Sequence, residues 1–238
     1  MTKNETIKAT LKATKAKRKT QTCKVYEVKI DKSHLSNTTI NHLKRLFLEA
    51  KWLYNHILSQ HNIFEMDDKI HEVPVKVKDI FEIRDLNCLS SHMRQGILSR
   101  TQDNIRGLSE LKANGHKIGK LKYKSLVQSI PLKQYGNTYA ILNTKYIRVQ
   151  GIKQKLKVIG LKQIPVNADL ANGILIHKHN DYYLSITTYQ QKIKQVTTVK
   201  SIGIDFGLSR QLVLSNGNAI QYIVPVQFET QKISKKTQ

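Results

Sequence analysis

The hydrophobic pattern of this chain changes its period at Gly115. Before that glycine, two segments repeat apolar residues at the three- and four-residue spacing of an amphipathic helix. Ser36-Asn37-Thr38 offers N-caps for the first segment, and Asn114-Gly115 is typical of a left-handed helix stop after the second. We therefore expect two long helices that pack as a pair. Their apolar positions are Ile40, Leu43, Phe47, Ala50, Tyr54, Ile57 and His61, then Met93, Ile97, Thr101, Ile105, Leu108 and Leu111.

After Gly115, short apolar runs separated by Gly, Pro or Asn predict strands. Asn180-Asp181 is typical of a tight hairpin turn, and Tyr26, Val28 and Ile30 indicate one strand ahead of the helices. Several short strands at this spacing predict a small barrel or sandwich, so the expected fold class is α+β. The runs are Leu126 to Leu132, Tyr146 to Val149, Leu156 to Leu161, Gly173 to His177 and Tyr182 to Tyr189.

The charge balance indicates a polyanionic partner. The 238 residues carry 40 Lys and Arg against 17 Asp and Glu, for a net charge of +23. Such an excess is typical of nucleic-acid binders, because Lys and Arg near phosphates release condensed counterions. A basic surface that is only solvated is the alternative. The Lys-rich stretch over residues 1–22 predicts a disordered arm that seeks phosphate.

Acidic residues are absent between Leu111 and Ala168, where eleven Lys and one Arg occur. In the densest part, an extended segment would place its cations along one side with an aromatic ring nearby for stacking. These residues are Lys117, Lys120, Lys122, Tyr123 and Lys124. A coding bias toward Lys is the alternative, but it predicts Lys scattered evenly along the chain. On the first helix, Trp52 and Asn55 fall off the apolar stripe and are candidate ligand contacts, whereas Tyr54 follows the stripe.

The two cysteines, Cys23 and Cys88, form no CxxC pair, so the sequence predicts neither a disulfide framework nor a zinc site. Low cysteine use favours a reducing compartment, and we expect a cytoplasmic protein. No apolar run approaches the ~18 residues of a membrane span, so no membrane partner is expected.

One carboxylate stands out late in the sequence. An apolar run delivers Asp205 between Gly203 and Gly207, and a second strand and an Asn-Gly turn follow. Two-metal phosphodiester cleavage uses carboxylates to hold Mg²⁺ ions about 3.5–4 Å apart, which makes Asp205 the candidate catalytic residue and Mg²⁺ ligand. A strand-end aspartate in a turn is the alternative. The first phosphate loop of actin-like kinases is another, which the roughly 30 residues after Asp205 exclude because that fold needs a second phosphate loop.

Taken in order, these segments resemble the N-terminal part of the TnpB (OrfB) family, which are transposon-encoded RNA-guided nucleases related to type V CRISPR effectors. The similarity covers roughly Cys23 to Val224. Its most specific part is Ser201 to Gly217, which is similar to the first RuvC motif. The other similar segments are Ala50 to Asn55, Ser91 to Leu108, Tyr182 to Ile186 and Gly119 to Lys124, with Leu121 where the family usually has Pro.

The resemblance implies a helical recognition lobe inserted into a small β-barrel, followed by a truncated RNase H-like (RuvC) domain. The implied order is a basic arm at 1–22, a first barrel strand at 23–35, the lobe at 36–115, the barrel at 116–192 and the incomplete RuvC domain at 199–238. Guide RNA and DNA are the implied partners, near the nucleoid of a prokaryotic cell. The candidate nucleic-acid contacts are Lys51, Trp52, Asn55, Arg94, Lys117, Lys120, Lys122, Tyr123 and Lys124.

The family's later RuvC glutamate, its paired CxxC motifs and its final aspartate have no counterpart in these 238 residues. We therefore expect Mg²⁺ at Asp205 only in a completed site, and no nuclease activity from this chain alone. Four hypotheses stay open. They are a decayed transposon product, half of a split nuclease completed by a separately encoded C-terminal half, a nuclease-dead DNA-binding regulator, and a simple basic RNA- or DNA-binding protein.

Overall fold

The computed structural model describes residues 2–67, 69–192, 201–207 and 211–221, and the chain divides into two units, Met1–Lys192 and Ile193–Gln238. The described α-helices, all in the first unit, are α1 (Lys3–Lys19), α2 (Asn37–Ser59) and α3 (Ser91–Ala113). Its strands are β1 (Gln21–Ile30), β2 (Glu72–Val77), β3 (Ile80–Asp85), β4 (Ser129–Leu132), β5 (Tyr139–Ile141), β6 (Tyr146–Val149), β7 (Leu156–Ile159), β8 (Asp169–Lys178) and β9 (Asp181–Gln191). The second unit contains β10 (Ile204–Asp205), β11 (Leu212–Leu214) and β12 (Ala219–Ile220).

Seven strands of the first unit form an antiparallel sheet in the order β4-β8-β9-β1-β7-β6-β5. The sheet is nearly closed, because the Tyr139 hydroxyl of edge strand β5 donates to the Ala171 carbonyl oxygen of β8 at 2.7 Å. Side chains alternate between the interior and the outside, as a pleated strand requires. A barrel-like sheet in an α+β fold is thus confirmed. In β9 the buried residues are Tyr182, Leu184, Ile186 and Thr188.

Helix α2 turns its apolar stripe inward. The Ser36 hydroxyl caps the helix by accepting from the Thr39 N–H at 3.2 Å, as the sequence predicts. Phe47 stacks on Tyr182 of β9, with ring centroids 6.0 Å apart. The first predicted helix is confirmed, although it ends at Ser59, before His61. Its buried stripe comprises Leu43, Leu46, Phe47, Ala50, Leu53, Tyr54 and Ile57.

Helix α3 packs beside α2 and against β4. Gly96 permits the close approach, because a Cβ atom there would lie 3.1 Å from the Cβ of Pro131. Arg100 fastens the same contact by donating to the Ser129 carbonyl oxygen at 2.8 Å and to its hydroxyl at 3.0 Å. The second predicted helix is confirmed, and it ends directly before Asn114 as expected.

A two-stranded hairpin, β2–β3, lies within the segment predicted as a helical lobe. It turns at Lys78-Asp79, where Lys78 adopts a φ of 56°. Val73 is fully buried on one face of the hairpin, and the opposite face is exposed. The prediction of a purely helical lobe at 36–115 is therefore incomplete. The turn lacks the Gly that usually marks a hairpin in sequence, since a lysine supplies the left-handed conformation here.

The N-terminal region is helical, in contrast to the disordered arm predicted at 1–22. Thr2 and Glu5 form a capping box, in which the Thr2 N–H donates to the Glu5 carboxylate at 2.8 Å. Lys17 pairs with Asp169 of β8 at 2.6 Å. Ala and Lys favour helices, and these local signals outweigh the Lys-rich composition from which disorder was predicted. The first barrel strand accordingly begins at Gln21, ahead of the predicted boundary at 23.

The described part of the second unit is a three-stranded antiparallel sheet in the order β10-β11-β12. Asp205 of β10 lies opposite Val213 of β11. The run that delivers Asp205 and the strand predicted after it are present as β10 and β11, and residues 222–238 lie outside the described residues. An incomplete RuvC domain at 199–238 stays a prediction.

Candidate nucleic-acid interface

A groove of about 430 Å³ opens between α2, the β2–β3 hairpin and the lysine-rich segment that follows α3. We call it the basic groove. Two sequence-distant segments that the resemblance singled out, the middle of α2 and the end of Gly119 to Lys124, meet there. Its lining residues are Lys51, Trp52, Asn55, His56 and Ser59 of α2, Pro74, Val75, Lys76 and Phe81 of the hairpin, and Tyr123 and Lys124.

Asn55 fixes the lysine-rich segment to α2 through two hydrogen bonds. Its amide nitrogen donates to the Lys124 carbonyl oxygen at 2.9 Å, and its amide oxygen accepts from the Lys124 N–H at 2.8 Å. The side chain therefore pairs with the backbone of Lys124 as a neighbouring strand would. Because residues 116–124 form no helix or strand, this pairing sets the course of the backbone along the groove.

Tyr54 holds the side chain of the same lysine. The Lys124 ammonium lies 4.5 Å from the centroid of the Tyr54 ring, a cation–π contact. The Tyr54 hydroxyl donates to the Lys122 carbonyl oxygen at 3.5 Å. Burial raises the pKa of Tyr54, so the phenol stays neutral. Tyr54 is thus in the core, as predicted, and its outer edge positions a cation of the groove.

Trp52 is positioned by a chain of contacts that ends in the core. The Arg45 guanidinium lies 4.5 Å from the centroid of the Trp52 ring. Arg45 in turn donates to Glu49 at 2.9 Å. Glu49 is fully buried, and its second oxygen accepts from the N–H groups of Cys88 and Leu89 at 2.8 and 3.1 Å. All this pairing satisfies the buried carboxylate and fixes the cation that lies over the indole.

The thiol of Cys88 stands beside this carboxylate. Burial and the negative charge of Glu49 raise the pKa of Cys88 to about 11. A protonated thiol is neither a nucleophile nor a metal ligand at neutral pH. The Cys88 thiol is therefore protonated at neutral pH.

The groove combines positive charge with accessible rings. Lys51, Lys76 and Lys124 line it, and none of the described lining residues is an Asp or Glu. Tyr123 and Phe81 are 65 % and 70 % exposed. Partial burial lowers the pKa of His56, which favours its neutral form. Such a surface suits phosphates and planar rings together.

The groove gathers five of the nine predicted contacts: Lys51, Trp52, Asn55, Tyr123 and Lys124. Lys117, Lys120 and Lys122 are exposed on the same segment but do not line the groove. The prediction that Arg94 contacts nucleic acid is wrong, because Arg94 is buried and donates to His71 Nδ1 at 3.3 Å. The sequence prediction missed Lys76 and Phe81. The alternation of Val73, Val75 and Val77 was the available signal for their strand.

Asp205 is an exposed residue of β10. Nowhere in the described parts of the chain do three or more His, Cys, Asp or Glu side chains come close enough to hold a metal ion. The described residues therefore do not fit a two-metal Mg²⁺ cluster at Asp205, and no cleavage step follows from them. None of the described helices is both long and apolar enough to cross a membrane.

No protein-family model matches the chain, and no curated protein matches it either. The assignment of a function therefore depends on the geometry of the groove and on the residues that form it.

Proposed function

We propose that this protein binds nucleic acid through the basic groove. The observation that carries the proposal is the convergence of three lysines with the rings of Trp52, Phe81 and Tyr123 on one cavity, without an acidic residue among the described lining residues. Lys51, Lys76 and Lys124 would contact phosphates, and the aromatic side chains would contact bases. The net charge of +23 would add long-range attraction for a polyanion.

The finer part of the proposal is a TnpB-like protein that binds guide RNA and target DNA. The meeting of Ala50 to Asn55 with Gly119 to Lys124 in one groove supports it, because the resemblance rests on these two segments independently. In such a protein, base pairing to the RNA reads most of the sequence. The proposal does not include DNA cleavage, since the described residues contain no group of three or more His, Cys, Asp or Glu side chains that could hold a metal ion at Asp205.

The test is a salt titration of binding to fluorescent RNA and DNA, followed by anisotropy. Replacing Lys51, Lys76 and Lys124 with Glu should weaken binding at least tenfold at 0.15 M salt. It should also make the slope of log K against log salt shallower by about 0.7–0.9 for each lost phosphate contact. The matched control replaces Lys153, Lys155 and Lys162, exposed lysines of the barrel, with Glu.

The two triple variants change the net charge identically. Equal losses of affinity in both would therefore show that the basic groove is not the binding site. Preference among nucleic acids then separates the finer proposal from a simple basic binder. A TnpB-like protein should retain a specific RNA through purification and bind matching DNA only with that RNA. A simple binder should show the same affinity for all sequences.

A further inference from the structure

The outward face of the β2–β3 hairpin carries large apolar side chains in contact with solvent. Phe81 and Ile83 are 70 % and 62 % exposed. The register sets Lys76 opposite Phe81 and Pro74 opposite Ile83, so the four side chains share one face. Uncovered apolar surface is unfavourable in water, so the part of this face that borders a cavity is a candidate contact for a ligand.

One end of this face belongs to the basic groove. Phe81 lines the groove together with Trp52 and Tyr123, whereas Ile83 does not line it. A purely apolar partner would leave the lysine ammonium groups beside these rings without counter-charge. A strand of nucleic acid supplies both a planar ring for each aromatic side chain and a phosphate for each cation.

The rings also discriminate between kinds of nucleic acid. In a duplex, neighbouring pairs cover the faces of each base, and a protein reaches only base edges and phosphates. In a single strand the faces are accessible to aromatic side chains. We propose that the basic groove takes unstacked bases of a single-stranded segment, with the exposed phenyl ring of Phe81 as the stacking platform. This inference rests on the proposed function, since the groove must first bind nucleic acid.

The experiment uses the full chain and a fluorescent oligothymidine of about 12 nucleotides, within the 4–16 that such sites span. A hairpin duplex and an oligonucleotide with abasic sites serve as comparison ligands. The variant is Phe81→Ala. The matched control is Ile83→Ala, which removes a similarly exposed side chain from the same strand and the same face, outside the groove.

Phe81→Ala should weaken single-strand binding about tenfold, the usual effect of losing one base–aromatic stack, and duplex binding less than twofold. Ile83→Ala should change neither the single-strand affinity nor the duplex affinity by more than twofold. Abasic sites in the oligonucleotide should weaken its binding to the wild type about as much as Phe81→Ala weakens binding of the intact strand. Equal effects of the two alanine variants, or an equal loss for duplex and single strand, would overturn the inference.

The Lys51, Lys76 and Lys124 triple Glu variant is measured in parallel and separates the two ideas. If it loses affinity while Phe81→Ala does not, stacking is wrong and the nucleic-acid function stands. If neither variant changes the affinity, both are wrong.

Discussion

The basic groove and the strand that carries Asp205 differ in how their side chains are held. In the groove, Asn55 pairs with a backbone, and Trp52 is connected through Arg45 to the fully buried Glu49. Asp205 lies on a two-residue strand whose chain neighbours, Ile204 and Phe206, are 57 % and 78 % exposed. A functional site needs supporting contacts that lock its residues in place. The motif around Asp205 is the more specific of the two in sequence. In the described structure, however, its side chain has fewer supporting contacts than the lysine-rich segment Gly119 to Lys124.

The largest effect should come from the carboxylate beneath the groove. Glu49→Ala would leave the Arg45 Nε–H and the N–H groups of Cys88 and Leu89 without their acceptor. We expect the free energy of unfolding to fall by about 3 kcal/mol, measured by urea denaturation. Glu110→Ala on the exposed face of α3 is the control and should cost less than about 0.5 kcal/mol. If Glu49→Ala and Glu110→Ala lowered the free energy of unfolding by similar amounts, Glu49 would not support the groove more firmly than an exposed residue does.

The Asn55 clamp should show a smaller effect. Asn55→Ala removes both hydrogen bonds to the Lys124 backbone and should cost about 1–2 kcal/mol and weaken nucleic-acid binding severalfold. Asn55→Asp should not restore either property, because a carboxylate repels the Lys124 carbonyl oxygen. Hydrogen exchange at the Lys124 amide is the direct readout. An exchange rate that is the same in wild type and Asn55→Ala would show that the clamp does not persist in solution.

Acidification should destabilise the first unit. All nine histidines lie between His34 and His179, and burial lowers the pKa of His56 and His177 in the folded state. The unfolded chain therefore binds these protons first, so stability is lost as the pH falls below about 6.5 toward the lowered values. Urea denaturation of wild type at pH 7 and pH 5.5 measures the loss, and His56→Gln should reduce it. A midpoint that rises on acidification would contradict this assignment.

The smallest effect is expected at Asp205. Asp205→Ala removes an exposed side chain and should change the free energy of unfolding by less than about 0.5 kcal/mol. Nucleic-acid affinity should stay within twofold of wild type in the anisotropy assay. A larger loss of affinity would show that the second unit contributes to nucleic-acid binding, and that Asp205 has a function despite its exposed position.

Local signals in the sequence were sufficient for much of the fold. Helices α2 and α3 follow from their apolar stripes, and strand β9 follows from the apolar run Tyr182 to Tyr189. Their information lies within a single element, so no knowledge of partners is needed. Helix α1 also had a local signal, the Thr2 and Glu5 capping box, which the emphasis on charge obscured.

The candidate site was predictable only in part, because its walls come from elements that meet through tertiary packing. Lys76 and Phe81 join the groove only once the hairpin packs beside α2, which neither residue indicates in sequence. Arg94 lies beside the apolar stripe of α3, and its hydrogen bond to His71 depends on the residue directly before the same hairpin. Composition singled out the lysine-rich segment, but it could not tell that Lys124 lines the groove while Lys117 does not.

The clamp at Asn55 grips main-chain atoms of residue 124 and leaves its side chain out of the pairing. The position of the main chain at residue 124 therefore does not depend on which side chain residue 124 carries. A lineage, or a protein engineer, can exchange Lys124 for Arg or Gln without redirecting the backbone that carries it. Ligand preference at this wall of the groove can then change in single steps, each compatible with an intact fold.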